Sequence, residues 1–296
     1  MSKVKTLGAS APHTIEIEKP IAGFYIGIRV NRAYYSALSP FTITDSNEWA
    51  QSVLDFLNEQ TATLTYKDRS GNATYLFNNL GLGKLAEYAQ SEEGVIKCSA
   101  FDEDDDYIEI YLPLNEHGGA IAFNNDETLE LLINTSTGVT SGQVNTIESP
   151  ILAPSWFKYG KLNVEQNQTE KQFDVTNYEK IMIPLSAMTS TCTLTIIYSN
   201  GSVVRMNNEE LKAIGFTTND ICVQFHGLST GGFVDHAILD VSTAKEIQFH
   251  RASTTAFECI YVDNILVDNL ANVKEVNSAL YDTTQAKLMQ SLDKKM

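Results

Sequence analysis

The sequence predicts an all-β protein made of two tandem domains of similar topology. Three observations carry this. Strand-like runs dominate the chain and alternate with turn-rich segments. Helical patterning is confined to a few short stretches. One hairpin also recurs, nearly unchanged, at an offset of 130 residues, from Thr61 to Thr191.

In chain order, residues 14–18 (TIEIE) alternate apolar and polar, and 24–30 (FYIGIRV) are rich in β-branched and aromatic side chains. Residues 45–57 predict the first helix. Asp45 and Glu48 form a capping pair, and Trp49, Val53, Leu54, Phe56 and Leu57 share one face. The hairpin 61–79 follows, with turn chemistry at 68–72 and Gly71 free to take positive φ. A short helix over 82–89 precedes strands at 95–100, 107–112, 120–123 and 129–133. Around 149–155 two prolines fix φ and withhold backbone donors, which places a domain boundary there. Strands then resume at 180–185, 191–198, 202–206, 221–225, 237–241, 246–250 and 257–262. Residues 270–296 have loosely helical spacing.

In the repeat, Thr63, Leu64, Thr65, Gly71 and Asn78 match Thr193, Leu194, Thr195, Gly201 and Asn208 without a gap. Each copy runs into a short helical segment behind an Asn-Asn pair, Asn78-Asn79 and Asn207-Asn208, where Asn suits a helix N-cap. A weaker echo relates Ile121-Ala122-Phe123 to Ile247-Gln248-Phe249.

At 296 residues the chain is long enough for two domains. Its net charge of −16 repels phosphate, so direct nucleic-acid binding is not expected. Lys3, Lys5, Lys294 and Lys295 are basic exceptions near the ends. The start of the chain has no apolar h-region, which predicts a cytosolic product without an export signal. Cys98, Cys192, Cys222 and Cys259 are widely spaced and read as buried thiols, with disulfides left open. The sequons at Asn72, Asn134, Asn167 and Asn200 carry no expectation of glycosylation in such a compartment.

No catalytic, cofactor-binding or metal-ligating residue is assigned from the sequence. The metalloprotease, nucleophile-elbow and dinucleotide signatures do not occur. Gly81-Leu82-Gly83-Lys84 resembles a phosphate loop only faintly, because Asn78 and Leu85 stand where glycine and a hydroxyl residue belong. His13, His117, His226, His236 and His250 read as surface or turn residues. Glu116-His117 and Asp235-His236 are adjacent pairs, which on a strand point to opposite faces. The run 102–106 reads as a solvated acidic hairpin tip, with calcium binding by Asp102, Asp104 and Asp106 left open. Trp49 and Trp156 read as packing residues rather than sugar platforms.

Two tandem β domains of this length, without a catalytic motif and with a short helix after each hairpin, resemble the double jelly-roll major capsid proteins. These belong to tailless icosahedral, internal-membrane-containing bacteriophages of the adenovirus hexon-like lineage. The resemblance spans about residues 12–270 and is architectural, since the family has no signature motif. It implies two eight-stranded jelly-roll barrels with a few flanking helices. The implied division is an N-terminal arm (1–12), a first jelly roll (13–149), a second (150–269) and a C-terminal helical tail (270–296). It further implies a virion structural protein, made in the host cytoplasm, that forms pseudo-hexameric homotrimers. Its partners would be itself, neighbouring capsomers, penton or vertex proteins, and an internal lipid membrane reached through the chain termini. Two alternatives stay open. One is a double jelly-roll glycan-acting enzyme, an amidase or glycosidase, with a carboxylate-lined cleft between its domains. The other is a β-sandwich receptor- or glycan-binding module.

Overall fold

The computed structural model describes residues 3–38, 46–92, 96–115, 118–121, 126–153, 155–188, 191–218, 223–225, 228–229, 235–252 and 255–266. The chain is all-β, as the strand rhythm predicts. The first half runs β1 (Val4–Leu7), β2 (Pro12–Ile17), β3 (Gly23–Asn31), α1 (Arg32–Leu38), α2 (Ser46–Glu59), β4 (Thr61–Lys67), β5 (Ala73–Gly81), α3 (Leu82–Glu92), β6 (Ile96–Ala100), β7 (Asp105–Pro113), β8 (Ala120–Ile121), β9 (Thr128–Asn134) and β10 (Val139–Ile147). The second runs β11 (Leu152–Ala153), β12 (Ser155–Val164), β13 (Glu170–Asp174), β14 (Lys180–Pro184), a 3-10 turn (Leu185–Ala187), β15 (Thr193–Tyr198), β16 (Val203–Asn207), α4 (Asn208–Thr218), β17 (Val223–Phe225), β18 (Leu228–Ser229), β19 (His236–Asp240), β20 (Ala244–His250) and β21 (Phe257–Leu266).

The two halves share one strand order. In the first, β1-β10-β3-β7 lie in one sheet and β2-β9-β4-β5 in another. In the second, β12-β21-β14-β19 and β13-β20-β15-β16 repeat that arrangement strand for strand. Strand alternation builds the cores. In β3, Phe24, Ile26, Ile28 and Val30 all point inward and are fully buried, as are Leu129, Leu131 and Ile133 of β9. Helix α2 buries the expected face, with Trp49, Val53, Leu54, Phe56 and Leu57 inside.

The recurring hairpin is real in three dimensions. Gly71 and Gly201 sit at φ +81° and +84°. Each donates its N–H to the carbonyl three residues back, Asp68 and Tyr198, at 3.0 and 2.9 Å. The helix that follows is capped differently in the two copies. Asn207 forms a reciprocal capping box with Glu210, at 3.0 and 2.7 Å. At the start of α3 the cap is Asn58 of α2, whose Oδ1 accepts from the Lys84 N–H at 3.0 Å, so neither Asn78 nor Asn79 supplies it. The weaker echo does not hold. The counterpart of β20 in the shared order is β9, not the segment around Ile121.

The two halves are also joined through their backbones. Strand β17 of the second half pairs parallel with β6, Val223 opposite Ile96, and extends the first half's sheet to seven strands. Inside the proline-rich segment, β11 pairs parallel with β8. The stretch read as an N-terminal arm contains β1, which pairs antiparallel with β10. The capping residue Asp45, the C-terminal tail and Lys294 and Lys295 lie outside the described residues.

Candidate functional site

The seam between the halves is where unlike elements bring polar chemistry into a buried place. It forms because the sheet β12-β21-β14-β19 is apolar on both faces. Ile181, Ile183, Ala237, Leu239 and Cys259 face the second half's own core. Their strand neighbours Met182, Ile238, Ile260 and Val262 belong instead to the core continuous with the first half. Such strands read as uninterrupted apolar runs, and the sequence carries that signal at 181–183, 237–239 and 259–262.

Helix α3 covers this second face. Lys84, Glu87 and Tyr88 fall at helical spacing on one side of it. The Tyr88 ring packs edge-on against Phe157 and Tyr159, both at 5.4 Å, and Phe77 meets Tyr159 at 6.0 Å. Lys180 Nζ lies 5.5 Å from the Tyr88 ring centroid. Trp156 stacks at a tilt on Tyr66, 4.8 Å between centroids. Both tryptophans are thus packing residues, as expected.

Two charged groups cross the seam. Lys84 Nζ bonds Glu258 Oε1 at 2.9 Å, and Lys161 approaches the other oxygen at 3.3 Å. Burial raises the Glu258 carboxyl, but the two lysines outweigh it and its pKa is lowered overall. The second group is Glu87, Asp235 and His236. The His236 backbone N–H donates to Glu87 Oε1 at 2.9 Å and its Nδ1 meets Oε2 at 2.7 Å. Asp235 Oδ2 stands 3.4 Å from the same Nδ1. Burial holds the Asp235 carboxyl above its ordinary range. For His236 burial opposes the charged ring, yet Glu87 and Asp235 together prevail and raise its pKa.

His236 therefore corrects the sequence reading, which made it a surface or turn residue. It is 4% exposed, and its partner is Glu87 from another half of the chain rather than Asp235 alone. His13 lies near the Gly8 backbone and His250 lies 3.7 Å from Glu170. His117 and His226 lie outside the described residues. Cys98, Cys192 and Cys259 are buried thiols, as expected, while Cys222 lies outside the described residues.

The acidic run is a solvated tip only in part: Asp102, Glu103 and Asp104 are exposed, whereas Asp105 and Asp106 are buried. Asp102 and Asp105 both engage Arg29, Asp105 at 2.6 Å. Asp106, with no exposed surface, accepts from Arg32 at 2.6 and 3.0 Å and from the Tyr35 hydroxyl. Of the candidate calcium carboxylates, Asp102 and Asp106 are turned onto two arginines, and this network docks α1 on the β6–β7 turn. Among the described residues, Asp102, Asp104 and Asp106 do not form a cluster tight enough to share one ion. The faint phosphate loop has a packing explanation. A Cβ at Gly81 or Gly83 would come within 2.6 Å of Asn58 Oδ1, so these glycines let α3 approach α2.

No described helix is long and apolar enough to cross a membrane. No family model matches the chain, and no curated protein matches it. Three solved structures are distantly similar. The exported protein XepA of PBSX is 7% identical over 89% of this chain and 86% of its own, with a TM-score of 0.22. The oxalate decarboxylase of Bacillus subtilis, described with Mn(II) centres, is 7% identical over 90% and 70%, with a TM-score of 0.25. A223, a turret protein of Sulfolobus turreted icosahedral virus, is 9% identical over 90% and 98%, with a TM-score of 0.22. These scores are too low for any of the three to establish a shared fold or function.

Proposed function

We propose that the chain is a shell-forming structural subunit, the major capsid protein of an icosahedral virion that encloses a membrane. In this reading each half is a jelly roll and three chains form a pseudo-hexameric capsomer. One observation carries it. Two units of the same strand order are welded by a filled apolar seam and a shared sheet, which makes a rigid two-fold-repeated block. A trimer of such blocks presents six similar units, the shape that tiles six-coordinated positions of a closed shell. Apolar side chains exposed on edge strands support association. Strands β5 and β16 are the equivalent edge strands of the two halves, and they expose Tyr75, Val203 and Val204.

The same seam weighs against the enzyme alternative, in which the interdomain region would be an open carboxylate-lined cleft. Here Tyr88, Phe157, Tyr159 and Met182 fill it. Partner contacts with vertex proteins and with lipid through the termini belong to the proposal.

Native mass by size exclusion with light scattering, followed by electron microscopy of concentrated protein, is the test. A stable species near three times 32.8 kDa, closing into shells or flat hexagonal arrays, is the expected result. A monomer at every concentration would sink the capsid reading and favour an enzyme or binding module.

A further inference from the structure

We propose that Glu87, Asp235 and His236 are a binding site for a first-row divalent cation of the zinc type, set across the seam between the two halves. The three offer one ligand atom each, a carboxylate oxygen of Glu87 and of Asp235 and a ring nitrogen of His236, all within 4.8 Å of one another. They come from α3 and from the start of β19, so no sequence spacing announces them.

The donor set selects the ion class. One imidazole nitrogen and two carboxylate oxygens suit zinc and its neighbours, whereas calcium and magnesium favour more oxygen ligands. With zinc bonds of about 2.0–2.1 Å, tetrahedral ligand atoms stand roughly 3.3 Å apart. The present Nδ1 separations, 2.7 Å to Glu87 and 3.4 Å to Asp235, bracket that spacing. Opening the Nδ1–Glu87 edge by roughly 0.6 Å brings it to that spacing. Glu87 is also oriented by its other oxygen, which accepts the His236 backbone N–H at 2.9 Å and stays free to do so with metal bound. Among the described residues the site supplies three protein ligands, and zinc completes such a set with a fourth ligand.

Charge makes the second argument. Two carboxylates and a neutral imidazole plus a divalent ion sum to zero. A proton on His236 in place of the ion leaves the trio one negative charge, faced across the seam by the Lys84–Glu258–Lys161 group. The other charged groups felt at the site are Asp55 and Lys84, and Lys84 is already engaged by Glu258. Binding then exchanges cation for proton: the metal–Nδ1 bond forms and the Nδ1 proton passes to solvent.

The test uses the full chain stripped with EDTA and titrated with zinc chloride by calorimetry, alongside thermal melts. The expected result is one ion per chain, a raised melting temperature and proton release that rises as pH falls. Asp235→Asn is the informative variant, because it leaves the Glu87–His236 contact intact. It should fold and bind zinc about tenfold or more weaker. Absence of heat and of any melting shift with wild-type protein would overturn the proposal and leave a proton-shared ion pair. Undiminished binding by Asp235→Asn would overturn it too, by placing the ion elsewhere.

Discussion

His236 presents both its backbone N–H and its ring Nδ1 to one carboxylate, that of Glu87, at 2.9 and 2.7 Å. The contact joins residues 149 positions apart and ties the second half to the first. Its strength depends on pH. The folded His236 pKa lies above its ordinary 6.5, so its stabilisation is complete below 6.5 and is lost as pH rises through the folded value. Asp235, raised above its ordinary 3.8, tilts stability the same way, since the unfolded chain releases that proton at lower pH. In EDTA, denaturant unfolding from pH 6.5 upward should fall more steeply for wild type than for Glu87→Gln. Parallel pH curves would show that the contact does not titrate with folding.

The apolar part of the seam is tested by Met182→Ala. Met182 is fully buried on the outward face of β14. Removing its side chain leaves a cavity between the halves and should cost about 2–5 kcal/mol of unfolding free energy. A loss no larger than that of an exposed substitution such as Val203→Ala would mean the halves do not unfold as one unit.

The paired turns predict matched costs. Gly71→Ala and Gly201→Ala meet no nearby atoms, so steric crowding contributes nothing. Both sites need positive φ, which costs an L-residue about 1–2 kcal/mol. The two losses should agree and should add in the double variant, because the turns lie in separate hairpins. Unequal losses, measured by chemical denaturation, would show that the hairpins differ in what they support.

Arg32→Met tests the acidic run. It leaves Asp106 buried with its guanidinium partner gone, a loss of about 3–5 kcal/mol. Asp106→Asn added to it should recover part of this. Millimolar calcium should leave the wild-type melting temperature unchanged. A calcium-dependent rise would mean that Asp102, Asp104 and Asp106 bind the ion after Asp102 and Asp106 break from their arginines.

Much of the fold was legible in the chain because one buried face writes a period of two. The hairpins, β3, β7 and β9 all announce themselves this way, and Gly71 and Gly201 mark the repeat. Strands β10 and β13 were not seen. In β10 polar residues Ser141, Gln143 and Asn145 crowd out the pattern, and in β13 the only inward apolar signal is Phe173. Strand β12 hid behind the two prolines and a Lys-Tyr-Gly-Lys stretch. The acidic run misled because charge composition says nothing about partners: Arg29 and Arg32 lie some seventy residues earlier. The seam was half legible. Its apolar runs at 181–183, 237–239 and 259–262 carry a signal for burial on both faces that the strand assignment alone did not use, and they say nothing of what lies across from them. Glu87 and His236 each look ordinary alone, and only the packing of α3 on β19 brings them together.

The parallel pairing of β6 with β17 also bears on biosynthesis. Strand β6 leaves the ribosome long before β17, so the first half must wait with that sheet edge open while most of the second half is made. During this interval the unpaired edge is a template for wrong partners, including the same edge on a neighbouring nascent chain. Parallel, long-range closure is slow as well. The step that seals β17 against β6 therefore sets how crowded synthesis of the chain can become before chains tangle.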